Sequence, residues 1–189
     1  YYAFSFVTDS VSGKPDYYDE KARPLQSFFL KAPLNFSRIS SRYSPRRYHP
    51  VQKRWKAHKG TDYAAPRGTP IWSTANGVVI ASSYTSGNGN YVKVRHNGTY
   101  TTQYLHMSKR AVKKGQHVSQ GQIIGYVGST GLATGPHVCY RFWVNGRQVD
   151  PFRQNLPSAE PIEEKYIPSY FAAIEPLKAE LGKIEFKHI

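Results

Sequence analysis

Short apolar runs alternate with turn residues through the middle of the chain. GTPIWSTANGVVIASSY turns at Asn76-Gly77, and NYVKVRH alternates apolar and polar positions before a turn at Asn97-Gly98. A period of two is typical of strands with one buried face, and turns about every twelve residues favour antiparallel pairing. We therefore predict a mainly β domain, an antiparallel sheet or sandwich, over residues 36–155.

The strand pattern continues towards the C-terminal side of this region. TYTTQYLHM, GQIIGYVG and HVCYRFWV each have the length and composition of a strand, and the last ends at Asn145-Gly146. His137 and Cys139 are two residues apart in HVCYRFWV. Successive side chains of a strand point to opposite faces, so this spacing places both on one face.

The two ends of the chain have different patterns. Residues 1–35 are rich in aromatic residues and predict two or three short strands, with a turn at Ser12-Gly13-Lys14-Pro15. We interpret this segment as the remnant of, or the link to, a preceding regulatory domain. Residues 156–189 form a third, helical region.

The helical region is predicted from apolar residues that recur at intervals of three or four. This amphipathic stripe should pack on the β domain rather than hang free, because exposing it would invite association. Pro168 lies near the helix start, whereas Pro176 should kink or split it. The stripe consists of Phe171, Ile174, Leu177, Leu181 and Ile184.

Charge adds an expectation about partners. The net charge is +14, and the densest cationic cluster leads into His58. Such a surface attracts anionic polymers, including cell-wall material, and a solvated surface without a partner is the plain alternative. The basic residues are spread along the chain, so we expect no specific nucleic acid partner. The cluster is Arg42, Arg46, Arg47, Lys53, Arg54, Lys56 and Lys59.

Candidate chemistry gathers in the central β region. His58 and Asp62 lie in HKGTDYAAPRGTP, where Gly60 and the prolines disfavour a helix, and His106 ends the strand TQYLHM. A catalytic zinc takes three protein ligands from His, Asp, Glu and Cys. His58, Asp62 and Cys139 can supply them.

With that ligand set, His106 and His137 are left to move protons and stabilise charge. We expect structural or solvated roles for the other histidines. They are His49, His96, His117 and His188.

Five segments, in this order, resemble family M23 of zinc metallopeptidases, of the LytM or lysostaphin type. They are SRYSPRRYHP, HKGTDYAAPRGTP, YLHM, KKGQHVSQGQIIGYVGSTG and TGPHVCYRF. The resemblance covers residues 36–155 and implies an antiparallel β fold with a groove for one zinc ion per chain. It also implies hydrolysis of peptide bonds in peptidoglycan stems or crosslinks.

The resemblance assigns roles to individual residues. His58 and Asp62 match the first two zinc ligands of the family, and His106 and His137 match its two catalytic histidines that do not bind the metal. The roles of these two, as proton acceptor and as stabiliser of the oxyanion, are interchangeable at this level. Arg42 and Tyr43 are candidates for contacting the anionic stem peptide, with packing as the alternative for Tyr43.

Residue 139 departs from the family pattern, which has histidine as the third ligand. Zinc accepts sulfur at about 2.3 Å and nitrogen at about 2.0–2.1 Å, so a thiolate can replace the imidazole. The alternative is a weak or inactive domain that binds peptidoglycan or activates another wall hydrolase. We favour the enzyme, because a domain without catalysis has no chemical reason to keep all four other site residues.

The implied location is the bacterial cell envelope, in the periplasm, with a further envelope protein as a possible partner. No apolar run approaches the roughly 20 residues that cross a bilayer, so we expect no transmembrane segment here. The chain opens at Tyr1, and we expect any signal peptide or anchor to lie outside it.

Overall fold

In the computed structural model the chain divides into two compact units. Tyr1–Phe28 with Leu156–Ile189 form the terminal unit, and Phe29–Asn155 form the β unit. The β unit begins before the predicted boundary at residue 36, because buried Phe29 packs edge-on against Tyr100 and Phe142. The structure describes residues 2–8, 15–25, 28–35, 38–49, 53–154, 156 and 162–183.

The terminal unit pairs two short strands and carries the helix. Strand β1 (Phe4–Phe6) is antiparallel to β2 (Asp16–Tyr18), and α1 spans Ile167–Leu181 as one helix. Pro176 lies inside α1 and does not split the helix, so of the two expected effects, a kink or a split, the split is wrong. The predicted turn at residues 12–15 lies mostly outside the described residues.

The apolar face of α1 differs from the predicted stripe. Tyr170 and Ile174 are buried, whereas Phe171 and Leu177 are largely exposed, and Ile184 lies outside the described residues. Helix α1 packs against the N-terminal strands of its own unit rather than hanging free, and the Tyr170 hydroxyl donates a hydrogen bond to the Asp19 carbonyl (2.8 Å). The buried cluster is Phe4, Tyr18, Ala22, Ile162, Tyr170 and Ile174.

Replacing Ile174 with alanine should destabilise the terminal unit by about 2–4 kcal/mol, because a fully buried side chain leaves a cavity. Ile174 is 1% exposed. Leu177, on the same helix, is 47% exposed, so Leu177→Ala is the matched control and should change stability little. Hydrogen exchange of the α1 amides measures the stability of the terminal unit in both variants. Equal exchange in the two variants would contradict this packing.

The β unit contains three sheets whose described pairings are all antiparallel. Its strands are β3 (Arg38–Ser41), β4 (Ser44–His49), β5 (Arg54–His58), β6 (Thr61–Ala64), β7 (Pro70–Trp72), β8 (Gly77–Thr85), β9 (Gly89–Arg95), β10 (Tyr100–Met107), β11 (Lys109–Arg110), β12 (His117–Val118), β13 (Ile123–Tyr126), β14 (His137–Val144) and β15 (Arg147–Val149).

The largest sheet has the order β12-β8-β9-β10-β14-β6-β3, and β15 pairs with β14. Strands β11, β13 and β7 form a second sheet, and β4 with β5 form a hairpin. Short 3-10 turns follow at Pro151–Arg153 and Glu164–Tyr166. The prediction of a mainly antiparallel β fold with a C-terminal helix is confirmed.

The core of the β unit lies on one face of the largest sheet. Val92, Val94, Val138 and Phe142 are fully buried there. Buried hydroxyls satisfy one another in the same layer: the hydroxyl of Thr74 lies 3.0 Å from that of Tyr104 and 3.0 Å from that of Tyr140. Because Tyr140 points into this core, its neighbours on β14 point to the opposite face. Among the described residues, no helix is long and apolar enough to span a membrane.

Candidate metal centre

Strand β14 carries two of the candidate residues at the centre of the sheet. His137 and Cys139 alternate with the core residues Val138 and Tyr140, as predicted. On one side β14 pairs with β6, and this register places Cys139 directly opposite Asp62. On the other side it pairs with β10, which carries His106.

The three predicted ligands converge on one point. His58 ends β5 and is connected to β6 by only two residues, so the turn carries its ring back beside Asp62. His58 Nε2 lies 3.0 Å from Asp62 Oδ1 and 3.7 Å from Cys139 Sγ. One ligand atom from each of the three residues lies within 4.8 Å of the others. This set could hold a metal ion.

The three histidines at the centre share one tautomer. A carbonyl oxygen only accepts hydrogen bonds, so each Nδ1 carries a proton, and in the neutral form of each ring Nε2 presents its lone pair. These Nε2 atoms are therefore available as a metal ligand or as proton acceptors. The Nδ1 contacts are His58 to the Arg42 carbonyl (3.1 Å), His106 to the Thr130 carbonyl (2.8 Å) and His137 to the Gly135 carbonyl (2.8 Å).

The contact between His58 and Asp62 fits a shared cation. Asp62 Oδ1 is buried and has no hydrogen-bond partner, although His58 Nε2 is 3.0 Å away. With the ring proton on Nδ1, two lone pairs face each other at this distance, which is unfavourable unless a cation lies between them. Imidazole nitrogen, carboxylate oxygen and thiolate sulfur are the ligand atoms that zinc accepts. The donor set therefore fits zinc.

Electrostatics keeps Asp62 ionised. Burial raises the pKa of its carboxyl, but without a metal the His58 and His137 rings in their protonated form, together with the Cys139 thiol, outweigh burial and hold the pKa below its usual range. Arg47 adds a cation, with Nη2 3.6 Å from Asp62 Oδ2 and Nη1 donating to the Ser41 hydroxyl (2.9 Å). The carboxylate is thus ready to bind a metal at neutral pH.

The Cys139 thiol is protonated when no metal is present. It is 2% exposed, and burial together with the Asp62 charge raises its pKa to about 12, while Arg141 acts in the opposite direction. Gly60 closes the pocket, since a Cβ there would lie 2.8 Å from Cys139 Sγ. A metal that binds here must displace the thiol proton.

A β-bulge directs His106 into the site. Strand alternation from Thr102 and Tyr104, which face the core, would turn His106 inward as well. The register between β9 and β10 shifts after Tyr104, and His106 adopts a left-handed backbone with φ of 63°. The ring then lies 4.8 Å from that of His137, between centroids. Strained backbone of this kind costs about 1–3 kcal/mol and clusters at functional sites.

The environment of His106 keeps its ring neutral. Burial lowers its pKa to about 4, assisted by the charges of His137 and Arg141 and opposed by the Thr130 carbonyl. His137 lies beside the ligands, with Nε2 3.9 Å from Asp62 Oδ1. The two histidines that the sequence left outside the ligand set therefore border it.

Arg42 and Tyr43 lie beside the centre. The Arg42 carbonyl orients His58, and its guanidinium stacks over Phe152 with 5.5 Å to the ring centroid. The Tyr43 hydroxyl donates to the Gln148 carbonyl (3.4 Å), which ties it to β15. Their contact with substrate stays a prediction.

The other histidines lie elsewhere. Thr102 and the Asn76 carbonyl bond the His96 ring (2.8 and 2.7 Å), and burial lowers its pKa to about 4. His117 is exposed on β12. The side chain of His49 and all of His188 lie outside the described residues.

Three residues of the site were not named from the sequence, and a fourth, Arg47, was named only as part of the cationic cluster. Thr130 and Gly135 act through backbone carbonyls, which no side-chain motif reveals. Arg47 contacts Asp62 across a hairpin, so only the pairing of β4 with β5 finds it. Arg141 follows Cys139 by two positions on β14, and strand alternation alone could have identified it.

Comparison with known proteins places this centre in context. The model of peptidase family M23 matches residues 56–151, which include all five candidate metal and catalytic residues. Peptidoglycan DD-endopeptidase ShyC of Vibrio cholerae is 48% identical over 169 residues, which is 89% of this chain and 39% of that protein. ShyA, also a peptidoglycan DD-endopeptidase of Vibrio cholerae, is 44% identical over 95% of this chain and 42% of its own length.

Solved structures agree with the sequence relatives. A zinc-containing peptidase from Vibrio cholerae superposes with a TM-score of 0.66 at 38% identity, over 82% of this chain and 47% of that one. The chain thus spans less than half the length of each of these three proteins.

Proposed function

Because the chain belongs to peptidase family M23, we propose that it is a zinc-dependent endopeptidase that hydrolyses peptide bonds of peptidoglycan. The observation that carries the proposal is the convergence of His58, Asp62 and Cys139 beside the free Nε2 atoms of His106 and His137. ShyC and ShyA are DD-endopeptidases, which supports crosslinks between D-residues as the bonds cleaved.

The metal ligands and the two further histidines have different roles in the proposed hydrolysis. His58, Asp62 and Cys139 would hold the zinc, which would supply Lewis acidity to polarise a carbonyl and make a water more acidic. His137 Nε2 accepts the proton of the attacking water, because it lies 3.9 Å from Asp62 Oδ1 and so beside the ligands. The protonated ring then delivers that proton to the leaving amine nitrogen, which completes the hydrolysis.

His106 has a secondary role in this reaction. Its Nδ1 proton is committed to Thr130, so in the neutral state Nε2 accepts rather than donates. It therefore orients the attacking water by accepting a hydrogen bond, and it becomes a donor to the oxyanion only after gaining a proton. The pKa of about 4 makes that gain costly, which favours His137 as the main proton carrier.

The surface beside the centre suits an anionic wall polymer. The β4–β5 hairpin ends at His58, and Trp55 and Tyr48 are exposed on it. Arg46 stacks on the Trp55 ring, with 5.0 Å to the centroid. Peptidoglycan stem peptides carry carboxylates, which this cationic hairpin attracts. The implied location is the bacterial envelope, in the periplasm, where a further envelope protein is a possible partner.

Purified sacculi test the proposal. The protein should release soluble muropeptides, a chelator should stop the release, and zinc should restore it. His58→Ala should abolish release because a ligand is lost, whereas His117→Ala, an exposed histidine on β12, should not. Sacculus binding without muropeptide release, even with zinc bound, would favour the non-catalytic domain instead.

Zinc affinity should rise about tenfold for each pH unit between pH 7.5 and 8.5. The metal-free thiol has a pKa of about 12, so it holds its proton throughout this range and must release it on binding. Competition with a chelator of known pH dependence measures the slope. In Cys139→His the added imidazole, with an ordinary pKa of about 6.5, is already neutral, and the slope should be near zero. A flat profile for the natural protein would remove Cys139 from the ligand set.

A further inference from the structure

Arg141 shares the pocket of the Cys139 thiol. His137, Cys139 and Arg141 alternate along β14 and so lie on one face of the sheet. A Cβ on Gly60 would lie 2.8 Å from Cys139 Sγ and 3.0 Å from Arg141 Cγ. The backbone of Gly60 therefore covers the thiol and the stem of the arginine together.

The Arg141 guanidinium is poorly satisfied by the protein. Its Nη1 donates to Asn88 Oδ1 over 3.4 Å, and its Nε is buried without a hydrogen-bond partner. Among the described residues, no carboxylate forms an ion pair with it. A cation with a buried, unused donor is costly unless an anion is nearby, and the sulfur of Cys139, two residues away on the same strand face, is the acidic group beside it.

The charges of the ligands indicate a function for Arg141 beside Cys139. His58 is a neutral ligand, whereas Asp62 and a Cys139 thiolate each carry one negative charge, so the three ligands together cancel the two positive charges of zinc. Arg47, beside Asp62, is present whichever ligand stands at residue 139 and is therefore left out of the count. A third neutral imidazole would leave the centre with one positive charge. We propose that Arg141 is the counter-cation of the Cys139 thiolate and restores that single positive charge. This positioning role rests on the proposed zinc centre.

A double-mutant cycle on zinc affinity tests the role. Zinc dissociation constants are measured by chelator competition at one pH for the natural protein, Arg141→Gln, Cys139→His and the double variant. Direct repulsion between Arg141 and zinc is present in both backgrounds and cancels in the cycle. What remains is the attraction between the guanidinium and the thiolate.

We expect the fold-loss of zinc affinity caused by Arg141→Gln to be at least about ten times larger when residue 139 is cysteine than when it is histidine, which is the size expected for a hydrogen bond to a charged group. Arg141→Lys, which keeps the charge, should recover part of this difference. Arg147→Gln, an exposed arginine on the adjacent β15, is the matched control and should show no coupling to residue 139.

A second measurement guards against a folding defect. Cobalt substitution gives a sulfur-to-metal charge-transfer band, which Arg141→Gln and Arg141→Lys should shift if the guanidinium contacts the thiolate. Equal effects of Arg141→Gln in both backgrounds, with an unmoved band, would overturn the proposal while leaving the zinc centre intact. If Arg141 and Cys139 are coupled in zinc binding but the protein releases no muropeptides, only the peptidase function is contradicted. Absence of zinc binding by the natural protein would overturn both.

Discussion

Replacing Cys139 with serine is expected to lower zinc affinity at least about 100-fold and to abolish muropeptide release. A serine hydroxyl does not ionise near neutral pH, and it is not among the side chains that zinc ordinarily takes as ligands. The remaining pair, His58 and Asp62, supplies one ligand fewer than a catalytic zinc requires. Elemental analysis after dialysis measures the metal, and release from purified sacculi measures the activity.

Replacing Cys139 with histidine separates ligand loss from ligand type. Cys139→His should keep zinc and should match or exceed the natural rate, because a neutral imidazole leaves the metal a stronger Lewis acid than a thiolate does.

Two further observations check that the sulfur itself binds. Iodoacetamide should alkylate Cys139 only slowly in the metal-free protein, where the thiol is buried and protonated, and not at all in the zinc-loaded one, where the sulfur is bound to the metal. X-ray absorption should show one sulfur among the nearest neighbours of zinc. Zinc with only nitrogen and oxygen neighbours would remove Cys139 from the ligand set, whatever the variants do.

The alternation of apolar and polar residues predicted much of this fold. HVCYRFWV forms β14, with Val138, Tyr140 and Phe142 in the core and His137 and Cys139 on the opposite face. This prediction holds because β14 is central and paired on both sides, so its register is fixed by burial. The same spacing places Arg141 on this opposite face as well, two residues after Cys139.

The position of His106 could not be read from the same rule. Alternation along β10 places it with Tyr104 in the core, and only the bulge and the left-handed backbone at His106 turn it towards His137. Its hydrogen bond to the Thr130 carbonyl joins residues that are 24 positions apart. A bulge depends on the pairing of whole strands, so the local sequence YLHM does not predict it.

The terminal unit shows a second limit of periodicity. Residues spaced by three and four predicted a helix, but Tyr170 rather than Phe171 is buried, because the partners of α1 are the aromatic residues of β1 and β2. Pro176 removes one backbone donor without ending the helix. Tertiary packing overrides both local signals.

Replacing His137 with alanine is expected to lower the turnover rate about 100- to 10,000-fold while zinc stays bound, as for the loss of a general base. His137 Nε2 lies 3.9 Å from Asp62 Oδ1, close to the ligands, and its Nδ1 proton is fixed by the Gly135 carbonyl. The ring is therefore held with its lone pair towards the centre. Removing it leaves His58, Asp62 and Cys139 in place, because β14 keeps its register through Val138 and Tyr140.

Comparing His137→Ala with Cys139→Ser distinguishes proton transfer from metal binding. Both should stop muropeptide release, but only Cys139→Ser should lose zinc, and His117→Ala should alter neither. His106→Ala should retain zinc and reduce the rate less than His137→Ala, because the low pKa of His106 makes it the poorer proton carrier. If His137→Ala instead releases zinc, then His137 is a ligand and the proton acceptor must be sought at His106. Release of muropeptides that survives both His137→Ala and Cys139→Ser would place the chemistry outside this centre altogether.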